Sequence, residues 1–557
     1  MTYRAPLREM QFLLDHVLDA ARVAQSPRFA DADADTTAAI LNEAAKLAEN
    51  QLEPLNRAGD IHPAKLENGV VRCSPGFPEG YQAIADGGWI GMAASAEHGG
   101  MGMPMVLTSC VNEILASACL SLSLNPLMCQ GQIEAIEAHA SDALKELYLP
   151  KLISGQWSGT MNLTEPQAGS DVGALSSKAI PNADGSYSIT GQKIFISWGD
   201  HDCAENIVHL VLARLPDAPG GVKGISLFIV PKFIPDAQGN PGTANAQRVV
   251  SLEHKLGLHG SPTAVMSYEG ATGWMVGAAG GGMAAMFTMM NNARLGVGIQ
   301  GLSQAELALQ KATTFAAERK QGRSPVADGS GTILDHADVR RNLMVMKTQT
   351  AAARAICLDC AISLDLARAY GDADMQARAA FLTPIAKAFG ADTGCEVASL
   401  GVQVHGGMGY IEETGAAQIY RDVRVTAIYE GTNGIQAMDL VGRKLSDGGA
   451  AAHALLAEIE VSAKTSPELQ AAHDALLGAT NRLLTAEMND RAAGAQPYLR
   501  AFALTLGGHY AVKAAAANPS RQPLTNFHLR QLMSTVPGLC AMACEGAAPL
   551  YADSLVM

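Results

Sequence analysis

Apolar residues recur at helical spacing along most of this chain, and the spacing changes twice. Leu7, Met10, Leu14, Val17 and Ala21 fall on one face of a helix, the repeat of an amphipathic segment packed on a core. Ala-rich stretches of the same period continue to residue 157, interrupted by connections such as SPGFPEGY and AEHGGMGMP. An α domain is therefore expected over residues 1–157. Over 158–279 the pattern shortens to YSITGQKIFISW, NIVHLVLAR, GISLFIVP and TAVMSYEG, separated by NADGS and PDAPGG. Short apolar runs bounded by turn residues predict strands, hence a middle β domain. Long helical periods return over 280–447, among them GMAAMFTMMNNARLGVGIQGLSQAELALQKATTFAAERK and HADVRRNLMVMKTQ. Ser446, Asp447, Gly448 and Gly449 read as a linker. Residues 448–557 are helical again, with Ser466 before Pro467 as an N-cap and first-turn pair.

Length and composition fit such a four-part chain. The 557 residues exceed what one hydrophobic core serves, and 48% apolar with 17% charged residues excludes a disordered protein. A net charge of −14 repels phosphate backbones and anionic lipid. The N-terminus lacks an apolar targeting core and carries Glu9, Asp15 and Asp19. An uncharged run between Glu269 and Arg294 is long enough to raise the membrane question. Gly270, Gly273, Gly277, Gly280, Gly281 and Gly282 break its first half, and only Met283, Met286, Phe287 and Met290 then keep a helical stripe. The ten cysteines follow no metal-ligand spacing. Cys357 and Cys360 form a C-x-x-C inside an unbroken helical pattern, so buried thiols, no metal and a reducing cytoplasm are expected.

Four segments offer chemistry. Gly296, Gly298 and Gly301 satisfy G-x-G-x-x-G, but the fingerprint needs a strand before it and a helix opening after it. Here the preceding residues are already helical, so close helix packing is the better account. Segment 161–174, MNLTEPQAGSDVGA, supplies Thr164, Ser170 and Asp171 as hydrogen-bonding groups and Ala168 and Gly169 for close backbone approach. A plain polar loop accounts for it equally well. Segment 403–415, QVHGGMGYIEETG, puts Gly406, Gly407 and Gly409 between helical stretches. That suits backbone contact with a phosphate or flavin edge, and an ordinary helix-helix turn looks the same. Glu430 lies between Tyr429 and Gly431, with Val425 and Ile428 before it and Gly434 and Ile435 after. A carboxylate desolvated on such a bend has a raised pKa and can act as a general base near neutral pH, although most single Glu residues are simply solvated.

LTEPQAGSD at 163–171, KIFIS at 193–197, ERK at 318–320, QVHGGMGY at 403–410 and IYEGTNGIQ at 428–436 occur in that order. Together they resemble the acyl-CoA dehydrogenase family. The resemblance implies a multidomain α+β fold: an N-terminal α domain, a middle β domain and a C-terminal four-helix bundle. An extra C-terminal helical domain over 448–557 is added here. MTYRAPLREMQFLLDHVL at the start, LGLHGSPT at 256–263 and HADVRRNLMVMKTQ in the bundle are similar to a long subgroup of the family. The implied substrate is a small thioether acyl thioester, 3-methylmercaptopropionyl-CoA, or another short acyl-CoA.

The resemblance also implies FAD as cofactor and roles for particular residues. Glu430 would remove the α-proton while the β-hydrogen leaves as hydride to flavin N5. In some relatives the base sits just before the arginine matching Arg294, but here those positions are Asn292 and Ala293, neither of which accepts a proton. Met161, Leu163, Thr164, Ser170, Phe195, Ile196 and Ser197 match flavin contacts of the β domain, and Thr432, Asn433 and Gly434 match contacts after the base. Arg319, Gln403, Gly406 and Gly407 match groups that reach the FAD of a neighbouring subunit, which implies at least a homodimer. Ser170, Asn291, Arg294 and Gly431 match substrate-side positions. An electron-transfer flavoprotein is the implied acceptor.

Departures weaken some of these roles. Gln321, Gly322 and Arg323 replace the usual T-F-G after ERK, Asn291 replaces a frequent Asp, and Gln418 replaces a usual Lys or Arg. Two other readings stand beside dehydrogenation: an oxidase of the same fold using oxygen, and a flavin-containing nucleic-acid-binding relative. The second needs a basic tail. Residues 448–557 carry seven Lys and Arg against eight Asp and Glu, so that footprint is absent, and packing of Leu455, Leu469, Leu476 and Leu483 on the bundle or on a partner subunit is expected instead.

Overall fold

The stretch of short apolar runs folds as strands in the computed structural model, which describes residues 3–552. Met1, Thr2 and residues 553–557, the outer ends of the first and last expected domains, lie outside the described residues, and with them Asp553 of the tail's charge count. Strands β1 (Lys65–Glu67) and β2 (Val70–Arg72) form a small hairpin. The main sheet contains β3 (Trp157–Asn162), β4 (Lys178–Pro181), β5 (Tyr187–Ser197), β6 (Asn206–Arg214) and β7 (Ile225–Pro231). After a two-stranded ribbon of β8 (Phe233–Pro235) and β9 (Pro241–Ala244), strands β10 (Gln247–Leu252) and β11 (Thr263–Val276) complete it. Its order is β10-β11-β5-β4-β6-β3, and β7 pairs with both β6 and β11. The hydrogen-bonded circuit β11-β5-β4-β6-β7 thus closes on itself, which leaves few exposed edges. β6 and β7 are buried along nearly every residue, as strands covered on both faces are. Ile189, Ile196, Val211, Phe228, Val230, Met266 and Tyr268 fill the core of this region.

The glycine-rich stretch before Arg294 behaves differently from expectation in one respect. Gly270 and Gly273 do not end the strand. They lie inside β11, where the register against β5 shifts between Glu269 and Ala271, and a bulge absorbs the positive φ of Gly270. The break comes at Gly277–Gly281, and a helix then runs over Gly282–Glu318. No helix among the described residues is long and apolar enough to cross a membrane.

The chain divides into two compact units, one of residues 1–42, 105–117 and 294–557, the other of residues 43–104 and 118–293. The second holds the sheet with the helices Leu120–His139 and Asp142–Ile153. The first is all helical and is built on Ala337–Tyr370, Ala373–His405 and the part of Gly282–Glu318 from Arg294 onward. Glycine sets its closest crossing. A Cβ on Gly298 would lie 2.5 Å from the Ala386 carbonyl oxygen, and one on Gly301 would collide with the Gly390 carbonyl. The G-x-G-x-x-G is therefore a helix-packing seam. Cys357 and Cys360 are buried in Ala337–Tyr370, with Sγ atoms toward the carbonyls of Ala386 and Ala379; burial pushes the Cys360 thiol up to about 12.

The tail belongs to the same helical unit. Ser466 caps Pro467–Thr485 by accepting the Leu469 N–H, and Leu455, Leu469, Leu476 and Leu483 are buried. Its longest helix, Met488–Ala517, packs Phe502 edge-on against Phe381 at 5.0 Å between centroids. Arg500 grips Glu396 with two bonds of 2.6 and 2.9 Å, and Arg378 bridges Asp359 to the tail's Glu458.

Candidate active site

Glu430 sits on a bend that the sequence builds from its own side chains. Both Glu430 and Gly431 have positive φ, 55° and 82°, a conformation that costs a non-glycine residue strain and tends to persist only where surrounding structure holds it. Thr432 caps the next helix, Asn433–Asp439, by accepting the Ile435 N–H. Gln436 turns back and donates to the carbonyls of Glu430 and Gly431 at 3.2 and 3.4 Å. Before the bend, the Tyr429 hydroxyl donates to the Gln300 side chain of the Gly282–Glu318 helix. The short helix and the long helix thus hold the bend from both sides.

The surroundings explain the chemistry of the carboxyl. Burial pushes Glu430 up to about 7, while the positive charges of Arg294 and Lys387 oppose that rise without cancelling it. Of the expected apolar neighbours, Ile428 and Ile435 are exposed and Val425 is half-buried. Arg294 is buried on Gly282–Glu318. Lys387, which lies in no motif, is fully buried on Ala373–His405. Asn433 also turns inward: its Oδ1 accepts from Lys387 Nζ at 2.9 Å, and its Nδ2 donates to Asp392 Oδ1 at 2.6 Å and to the Ala388 carbonyl. Any cofactor contact expected of Asn433 falls to its backbone.

In the same unit, Gly406 and Gly407 are exposed, and no atom lies within 4 Å of where their side chains would begin. With φ of +60° at Gly406, the segment is an open backbone cradle beside exposed Gln403. Arg319 is exposed at the first residue past its helix, and its carbonyl accepts the Ile333 N–H. Gln418 is buried and donates to Asp422.

The sheet unit gathers the other expected positions. The ends of β3 and β5 are tied by Ile194 N–H donating to the Thr164 carbonyl at 2.9 Å, which brings Met161, Leu163 and Thr164 beside Phe195, Ile196 and Ser197. The loop after Thr164 is fixed from below by an ion pair that joins two of the sequence motifs. Lys193 Nζ, fully buried, meets Glu165 Oε1 at 2.8 Å and the Leu163 carbonyl at 3.1 Å. Glu165 also accepts the backbone N–H and hydroxyl of both Ser176 and Ser177. Burial works to raise the Glu165 pKa, but Lys193 and these donors outweigh it and hold it at about 2. Both residues lie within local sequence segments that assign neither a role, since the pairing is made only when β5 returns beside the loop.

Whether this rim fits a flavin is testable on two features. Phe195 is 59% exposed and has a φ of 61°. An aromatic side chain left in water on a strained backbone is disfavoured on both counts, and a flat heteroaromatic ring lying against it would offset the exposure. Half-buried Thr164 and Ser197 flank it with hydroxyl groups that can meet ring nitrogens and carbonyls. These residues fit FAD. Ser170 and Asn291 are exposed within this unit. Asn292 donates to Glu134 Oε2 at 3.0 Å, a role for an amide and not a base.

One group of metal-ligating atoms comes together among the described residues: Cys73, Asp202 and Cys203. The Asp202 carboxylate there already accepts from the Cys73 N–H at 3.1 Å and from Arg72 at 3.3 Å, and the two Sγ atoms lie 3.5 Å apart. The group ties the β1–β2 hairpin to the β5–β6 connection, a pairing that sequence spacing could not reveal.

A closed strand circuit followed by long helices, with a desolvated glutamate on a Gly-flanked bend and a rim suited to a flavin, defines a class. The chain belongs to the acyl-CoA dehydrogenase family: that family's N-terminal, middle and C-terminal domains match residues 34–156, 160–271 and 280–445. It is an FAD-dependent oxidoreductase acting on acyl-CoA. Among individual proteins it is 48% identical to 3-methylmercaptopropionyl-CoA dehydrogenase of Ruegeria pomeroyi, over 84% of this chain and 80% of that one. It is 35% identical to a butyryl-CoA dehydrogenase of Syntrophomonas wolfei, over 79% and 75%. Butyryl-CoA dehydrogenase from Megasphaera elsdenii superposes with a TM-score of 0.63 at 26% identity, over 74% of this chain and 99% of that one. ACDH-11 of Caenorhabditis elegans, at 21% identity, shares the fold over 95% of this chain and 91% of its own, with a TM-score of 0.79.

Proposed function

We propose that the enzyme introduces an α,β double bond into a short acyl-CoA, with 3-methylmercaptopropionyl-CoA as the preferred substrate and Glu430 as the base. The observation that carries this reading is the carboxyl of Glu430, desolvated on its bend and poised at about 7, where a base has both the ionised form and the proton affinity the reaction needs. A carboxylate oxygen of Glu430 takes the α-proton as the β-hydrogen departs with its electron pair. Bound FAD supplies the two-electron acceptor for that β-hydrogen. The backbone N–H of Glu430 receives the thioester oxygen as charge develops there, the kind of contact that contributes most to such reactions. Gln436 and Thr432 keep that N–H and the carboxyl oriented by fixing the bend. The proton leaves Glu430 for solvent after the enoyl product departs.

Met161, Leu163, Thr164, Phe195 and Ser197 would line the ring, with the loop of Ser170 beside them, while Ile196, its side chain buried in the sheet core, would contribute only its backbone. Thr432 and Gly434, with the backbone of Asn433, follow the base. Arg319, Gln403, Gly406 and Gly407 would serve the FAD of a second copy in a homo-oligomer, and Ser170, Asn291, Arg294 and Gly431 the substrate. An electron-transfer flavoprotein is the proposed acceptor. The 48% identity to the Ruegeria enzyme over most of both chains supports the substrate. We assign four sequence domains, 1–157, 158–279, 280–447 and 448–557.

The test is optical. The purified protein is expected to be yellow and to bleach when 3-methylmercaptopropionyl-CoA is added without oxygen, faster than with butyryl-CoA. Glu430→Gln should retain the colour and lose about 10² to 10⁴ or more of the bleaching rate. Bleaching of that variant at the parental rate would refute the base.

A further inference from the structure

Beneath the bend lies a buried cation that the reaction as described does not use. Lys387 is wholly enclosed, in the middle of the Ala373–His405 helix, and an ammonium group taken out of water must be paired or must lose its proton. Its ammonium meets a neutral amide: Nζ donates to Asn433 Oδ1 at 2.9 Å. Asn433 passes the connection on, donating to Asp392 Oδ1 at 2.6 Å and to the Ala388 carbonyl at 3.2 Å. Asn433 is the first residue of the helix that Thr432 caps, three positions beyond Glu430. One side chain therefore anchors the far end of the bend to the helix below and puts a positive charge under the carboxyl.

We propose that Lys387 is a positioning residue for the reaction: it fixes the bend through Asn433 and sets the proton affinity of Glu430 by its charge. The proposal rests on Glu430 being the base. An apolar residue of similar length would fill the same space, and a lysine costs desolvation there, so a structural role alone gives no reason for a cation. The charge field supports the electrostatic part. The groups facing the pair are Arg294 from the Gly282–Glu318 helix, Asp392 and Cys395 from the helix that carries Lys387, and Tyr429 beside the base; Asp439 at the end of the short helix, with Arg443 and Lys444 just after it, acts on Arg294. Burial lowers the pKa of Lys387 to about 8 while Glu430 and Asp392 work to raise it, so it carries its proton at pH 7, where the base must lose its own.

The measurement is the titration of the Glu430 carboxyl in the holoenzyme by difference infrared spectroscopy, its acid band assigned by disappearance in Glu430→Gln. In the parent the band should vanish as pH rises through about 7. In Lys387→Met it should vanish at a pH higher by about one unit or more, and the pH midpoint of kcat/KM should move with it. Lys387→Gln offers an amide N–H to Asn433 without charge. It should show the same displaced titration with more of the limiting rate at high pH than Lys387→Met retains, which separates charge from anchoring. Unchanged titration in both variants, with flavin content intact, overturns the proposal. So does failure of both to accumulate as holoenzyme, which would make the lysine a folding residue. A Glu430→Gln variant that bleaches normally refutes the base itself. An inactive Glu430→Gln beside a parental titration in Lys387→Met refutes only the role given to Lys387.

Discussion

At the scale of single residues, the decisive quantity is the balance on one carboxyl between burial, which favours the acid, and two cations, which favour the carboxylate. Burial wins by enough to carry Glu430 from 4.5 to about 7. Only the ionised form accepts the α-proton, so kcat/KM for a short acyl-CoA is expected to rise with pH through about 7 and level above it, read from initial rates with a dye acceptor. The same shift has a cost in stability. Because the folded state holds this proton more tightly than the unfolded chain, the contribution of Glu430 to stability falls as pH rises from about 4.5 to about 7. Glu430→Gln should therefore melt higher than the parent at pH 8 and at nearly the same temperature at pH 4.5, as scanning calorimetry would show. A bend residue next to glycine was legible in the sequence as a candidate base. Its partners were not, because Arg294 and Lys387 lie 136 and 43 positions earlier and meet it only through helix packing.

At the scale of elements, the sheet unit shows how two motifs separated along the chain act as one. Strand β5 delivers Lys193 to Glu165, and the ion pair pins the loop that follows β3. Removing one partner of a buried pair leaves an uncompensated charge, which typically costs about 3–5 kcal/mol. Lys193→Met is expected to lower Tm and to lose flavin on gel filtration, since Met161, Leu163 and Thr164 sit directly before the released loop. Recovery of a fully yellow protein with parental Tm would contradict this. The helical elements were read well from period alone. The Ser466 cap, the buried C-x-x-C and the glycine seam at Gly298 and Gly301 follow from local rules. The strand through Gly270 and Gly273 did not, because a bulge paired to β5 tolerates glycines that would break an isolated segment.

At the scale of the whole molecule, the additional residues after 447 are part of the helical unit's packing. Phe502 on Phe381, Arg500 on Glu396 and the Arg378 bridge between Asp359 and Glu458 cover a face of the long helices that would otherwise be exposed. Arg521 further holds Glu9 near the N-terminus through two bonds of 2.6 and 2.9 Å. Deleting residues 448–557 is expected to yield insoluble protein or to expose apolar surface, measured as increased binding of a hydrophobic dye. A soluble truncated protein with unchanged assembly and dye binding would show that this packing is dispensable.

The linear chain by itself determined the succession of helical and strand-forming stretches, the position of the glutamate and the family motifs. Each of these depends on residues close in sequence, through period, turn chemistry or a glycine where the backbone needs one. Tertiary structure alone decided which charges share a buried environment. It set Glu165 with Lys193, and Glu430 with Arg294 and Lys387. The physical reason is that desolvation and Coulomb interaction depend on distance in space and on exclusion of water, and neither is encoded at any fixed separation along the sequence.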